Sequence, residues 1–98
     1  MSSKSVLVIH RMAPKNGRFA DAKKVSDDWM EFLKSQVNCK SIDVIGCTES
    51  QCVWIEEWTT KAAVDELNNQ HLAYSEFLPR MVDCSKSVPQ RLVYQQLL

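Results

Sequence analysis

Three side chains in this sequence have the chemistry to take or give a proton near neutral pH: His10, Glu56 and His71. His10 closes the β-branched run Ser5–Met12 (SVLVIHRM). By the two-residue period of a strand it shares a face with Val6, Val8 and Met12. An unperturbed imidazole titrates at about 6.5, which suits a general base. Taken alone, a strand histidine is more often a hydrogen-bonded structural group than a catalyst. Glu56 shares its strand face with Trp54 and Trp58, so it reads either as an acid/base in an apolar site or as a bonded member of the wall. His71 precedes Tyr74 by three residues, a spacing that puts both on one helical face, at a cavity mouth or in solvent.

Other chemistries find no support. No Ser/His/Asp order stands out, and two glycines in the whole chain leave no room for a phosphate-cradling loop. The expectation is no cofactor and no metal. The four cysteines, Cys39, Cys47, Cys52 and Cys84, form no C-x-x-C pair and none has zinc spacing to a histidine. Cys47 and Cys52 flank a turn, as reduced thiols or as a cross-strand disulfide. Twelve basic and twelve acidic residues cancel. No basic stripe offers a track for phosphates, so no nucleic-acid partner is expected. No apolar run approaches the roughly 18 residues of a membrane span. Nothing resembles a signal peptide, and the cytoplasm is the expected compartment.

The elements that must position these groups follow from periodicity. Residues 1–98 read as one domain. After strand one, Ala13–Gly17 is a turn with Asn16 as a plausible N-cap. Phe19, Ala22, Val25, Trp29, Phe32 and Leu33 then recur at threes and fours, which predicts a helix over about Arg18–Gln36. Cys39–Thr48 reads as strand two, with Ile42, Val44 and Gly46 on one side. Glu49-Ser50 turns into strand three, Gln51–Trp58. Thr59 or Thr60 caps a second helical region, Lys61–Asp83, which Pro79 is expected to split or kink. Val88–Leu98 is strand four. The order βαββαβ points to an α+β, ferredoxin-like fold, a four-stranded antiparallel sheet with its helices on one face.

Two helices cover only one face of such a sheet. A solvated second face should alternate apolar with polar, yet Val6-Leu7-Val8-Ile9 is apolar on both sides. A second copy of the sheet is the economical cover, so a homodimer is expected.

The stretch Val53-Trp54-Ile55-Glu56-Glu57-Trp58-Thr59-Thr60-Lys61-Ala62-Ala63 is an apolar strand ending in acidic residues and tryptophan, then a polar cap and a helix. It resembles the most recognisable segment of the antibiotic-biosynthesis-monooxygenase family. Val6–Arg11, Cys39–Gly46, Ala73–Leu78 and Arg91–Tyr94 resemble that family's other elements in order, so the resemblance covers nearly the whole chain. It implies a dimeric α/β barrel with one pocket per subunit between sheet and helices. It further implies cofactor-free oxygenation of quinols or phenols, in which the protein deprotonates, orients and desolvates an electron-rich substrate. By the same resemblance the polar strand-one residue, here His10, faces the pocket. Departures are visible. Where many members carry a histidine nine residues after the strand-three tryptophan, this chain has Leu67, with Asn68 next. At the positions used by haem-degrading relatives it has His10, Leu67 and about Phe77, which argues against haem degradation.

Two functions therefore compete. The first is a cofactor-independent monooxygenase acting on a small aromatic, with His10 and His71 as base candidates and Glu56 behind them. Trp54, Trp58, Tyr74 and Asn68 would line its pocket. The second is a dimer that binds a small apolar ligand, or none, without catalysis. An enclosed cavity lined by His10 favours the first; a pocket filled by Phe77, Met81 and the indoles favours the second.

Overall fold

The computed structural model describes residues 5–95, the Tyr74 side chain excepted. The elements run β1 (Val6–Met12), α1 (Phe19–Lys34), β2 (Cys39–Cys47), β3 (Cys52–Trp58), α2 (Lys61–Asn68), a π-helical turn (Ala73–Phe77), α3 (Leu78–Cys84) and β4 (Gln90–Gln95). The four strands form one antiparallel sheet in the order β2-β3-β1-β4. This is the α+β, ferredoxin-like arrangement. The expected end of strand four, residues 96–98, lies outside the described residues.

Alternation sets which way the sheet faces. In β1 the residues Val6, Val8, His10 and Met12 are buried; in β3 the same holds for Cys52, Trp54, Glu56 and Trp58. These side chains meet the helices. From α1 come Ala22, Val25, Trp29 and Leu33, from α2 Val64 and Leu67, and from α3 Met81. Lys23–Asp27 and Lys24–Asp28, at 3.0 and 2.8 Å, brace the solvent side of α1.

Local punctuation departs from expectation at three points. The N-cap of α1 is Arg18, not Asn16, and its side chain caps nothing; it bridges Asp21 and Asp83 instead. Gly17 enters the helix at φ +75°, a conformation glycine adopts without strain. The second helical region breaks at Asn69–Gln70, ten residues before Pro79, and Pro79 sits in the first turn of α3. A proline there gives up a donor the helix start leaves unused. Its missing N–H and its ring also keep it from closing a regular turn on Ser75, and the chain before it widens into the π turn. Thr60 does cap α2, its Oγ1 accepting from the Ala63 N–H at 3.1 Å. In β2 a register shift between Val44 and Gly46 pairs Gly46 with Val53, on the face opposite Ile42 and Val44.

The end of α3 is tied to the end of β1. The Lys15 N–H donates to the Cys84 carbonyl and the Lys86 N–H to the Ala13 carbonyl, each at 2.8 Å. These bonds hold α3 over the His10 end of the sheet.

Candidate functional site

Strand register brings the polar groups together. His10 lies directly across from Trp54 on β3 and from Arg91 on β4. Glu56 is one strand further from Arg91, opposite Val8. The Arg91 side chain crosses over β1 to reach it. Its Nη1 and Nη2 donate to the Glu56 carboxylate at 2.6 and 2.9 Å, a bidentate pair. Trp58 Nε1 and Trp29 Nε1 donate to the same carboxylate at 2.8 and 3.3 Å. Each oxygen of this fully buried group thus accepts two hydrogen bonds.

His10 is 1% exposed. Its ring stacks on Trp54 at 4.1 Å and meets the edge of Trp29 at 6.1 Å. Arg91 Nη1 approaches its Nδ1 at 3.1 Å. A guanidinium can only donate, so Nδ1 accepts and the proton of the neutral ring sits on Nε2. Burial first, and the Arg91 charge second, hold the imidazole well below its ordinary pKa of 6.5. His10 is therefore neutral at neutral pH, and its Nε2 has no protein partner.

Above these groups lies a half-open, largely apolar cavity of about 170 Å³. His10, Arg91 and the exposed Asn68 supply its polar lining; Trp29, Ala73, Phe77 and Met81 are its buried apolar walls; Leu78 and Pro89 complete it. The walls are braced by aromatic contacts: Phe77 meets Trp29 and Phe32 at 5.2 Å each.

The expected site residues divide sharply. His10 and Asn68 line the cavity. Trp54 lies behind His10 as a stacking platform and is not in the lining. Trp58 anchors Glu56 and borders a separate hollow with Gln36 and Asn38. Glu56 stands behind Arg91, with no free lone pair facing the cavity. His71 is exposed and shares a contact with Ser75 Oγ at 3.3 Å, outside the cavity lining. The Tyr74 side chain is not among the described parts. Arg91 and Trp29 are site residues the sequence reading missed. Arg91 had one signal, as the sole charged residue of its strand.

All four cysteines are free thiols. Cys47 and Cys52 are paired across the hairpin end, and burial, then the Cys47 neighbour, push Cys52 up to about 12. A thiol so raised is no nucleophile at neutral pH. Among the described residues no three His, Cys, Asp or Glu side chains gather as a metal site. No described helix is long and apolar enough to cross a membrane.

No family model matches the sequence, and no curated protein matches it. Solved structures do. An antibiotic biosynthesis monooxygenase superposes with a TM-score of 0.80 at 16% identity, over 95% of this chain and 99% of its own. A candidate antibiotic biosynthesis monooxygenase from Nitrosomonas europaea gives 0.81 at 12% identity, over 99% and 94%. The chain has the fold of the antibiotic biosynthesis monooxygenases. A protein from Mycobacterium tuberculosis superposes at 0.83 with 18% identity, over 96% of each chain. Identities this low establish the monooxygenase-like fold alone; function has to be argued from the cavity.

Proposed function

We propose that this chain is a cofactor-independent monooxygenase of small phenols or quinols, acting as a homodimer. The observation that carries the reading is the apolar cavity with a neutral, buried His10 in its wall and an unpartnered Nε2. Phe77 and Met81 narrow the cavity without filling it, which favours a bound ligand over a closed structural module. In the proposed reaction a ring C–H becomes a carbonyl. One atom of O₂ stays on the ring, the other leaves as water, and the substrate supplies all four electrons. The chain's part is to hold the ring between Trp29, Phe77 and Met81 and to exclude water. His10 and Arg91 meet the ring oxygen as donors, and the proton it sheds leaves to solvent through the open side of the cavity. In the arrangement present His10 serves that oxygen as a donor; to take the proton at Nε2 it must first exchange tautomers, which breaks the Arg91 contact.

The homodimer is supported by the other face of the sheet. Leu7, Ile9, Val53 and Ile55 are half-buried there, and Leu92 and Tyr94 are 38% and 50% exposed. Cross-strand partners Ile9–Ile55 and Ile9–Leu92 make this one continuous apolar patch. A two-fold copy would cover it and leave the helix-side cavity open.

The deciding experiment is oxygen uptake by purified protein, with no added cofactor, against a panel of phenols and quinols. Uptake coupled to quinone formation supports the proposal; no uptake across the panel, with the ligands shown to bind, sinks it.

A further inference from the structure

Among the described residues, the buried polar groups at this end, His10, Arg91 and the Glu56 behind them, offer donors and no open acceptor; Asn68, exposed, is the one other polar side chain in the lining. The acceptors there are all engaged: both Glu56 oxygens hold two N–H groups each, and His10 Nδ1 holds Arg91. The polar atoms left without partners at this end are His10 Nε2, Arg91 Nε and, behind the histidine, Trp54 Nε1. All three carry hydrogen when His10 is the tautomer that Arg91 imposes. Buried donors without partners are costly and are filled where a fitting ligand exists. The charges of Arg91 and Glu56 cancel, so the site does not require a full anion.

We infer that this end of the cavity is a donor-only subsite that takes an acceptor oxygen, a ketone carbonyl or an ionised phenol, borne by a flat ring. Arg91 is its specificity-determining residue, because it turns His10 into a donor. A group that must donate toward His10 and Arg91 finds no acceptor on either. The ring behind the oxygen lies among Trp29, Phe77 and Met81, in a volume that suits one or two fused rings. The inference rests on the proposal that this cavity is the ligand site, and on no particular reaction.

Binding tests it without turnover. Calorimetry should find 1-tetralone, an aryl ketone, bound at least tenfold more tightly than tetralin, the same skeleton without oxygen. For the phenol source, bound 2-naphthol, followed by its absorbance, should ionise at least one pH unit below free 2-naphthol. Either result supports the subsite and says which oxygen it prefers. His10→Phe keeps a ring on Trp54 and removes the Nε2 donor; in it the ketone preference should shrink to under threefold and the naphthol shift should vanish. Independently of any variant, ¹⁵N shifts of the wild-type histidine should place the His10 proton on Nε2. A proton on Nδ1, equal binding of ketone and hydrocarbon with no naphthol shift, or no binding of any probe, each overturns the inference. Normal probe selectivity without oxygen uptake would leave it standing and remove only the monooxygenase reading.

Discussion

Arg91 grips Glu56 through both terminal nitrogens, at 2.6 and 2.9 Å, while one of them also reaches His10 at 3.1 Å. One side chain from β4 therefore joins both polar groups on the helix-facing side of β1 and β3. Glu56 is completely buried and Arg91 17% exposed. Removing one member of such a pair leaves the other as an uncompensated buried charge, at a cost of about 3–5 kcal/mol. Glu56→Gln and Arg91→Met should each lose about that much stability in urea denaturation. The double variant should lose less than the sum of the two. Losses under about 1 kcal/mol in both single variants would mean the pair does not hold the sheet together.

His10 should make the protein acid-sensitive in a defined window. Its folded pKa is lowered below 6.5, by burial and by Arg91, so the unfolded chain binds a proton the folded chain resists. The stability it contributes is complete above about pH 6.5 and is lost as the pH falls from there toward the folded pKa. Each pH unit in that window costs up to about 1.4 kcal/mol per proton. The charged groups facing the imidazole are Arg91 and the Glu56 bound to it. Stability measured from pH 7 to 5 should therefore fall in the wild type and flatten in His10→Phe. His71, exposed, is the control: His71→Phe should leave the slope unchanged, and a slope that follows His71 instead would refute the assignment.

The apolar outer face predicts its own variant. Ile9→Lys puts a charge in the middle of the Ile55–Ile9–Leu92 row while leaving the helix side untouched. Wild-type protein at micromolar concentration should scatter light as twice the chain mass, and Ile9→Lys as one chain with a native circular dichroism spectrum. A wild-type monomer would remove the dimer.

On any accepted quinol, His10→Ala should reduce oxygen uptake at least tenfold, within the range that one proton-handling or oxyanion-binding group supplies. His71→Ala should change it less than threefold, since His71 is outside the cavity lining. The reverse ranking would place the chemistry at the second helical region.

What the sequence by itself determined is everything that repeats locally. Alternation in Val6–Met12 and Cys52–Trp58 set which side chains share a face, and the three-four stripe from Phe19 to Leu33 set the helix that covers one of those faces. These patterns depend on backbone geometry within one element, so they survive without knowledge of partners. That the His10 face is the covered one came from the family resemblance, because strand one is apolar on both sides. Helix boundaries were less legible: the break at Asn69–Gln70 carries no proline, and Pro79, the obvious breaker, begins a helix.

Tertiary structure alone decided the chemistry of the site. Arg91 is 81 residues from His10 along the chain, and only the β1–β4 register sets them opposite each other. The same register carries the guanidinium to Glu56, which converts that carboxylate from a candidate base into an anchor. It also fixes the His10 tautomer, and with it the donor character of the pocket. A one-residue slip of β4 would point Arg91 to the outer face and leave Glu56 unpaired. Register is the sum of many long-range pairings, none of them written in any single strand, and so no local pattern could have disclosed it.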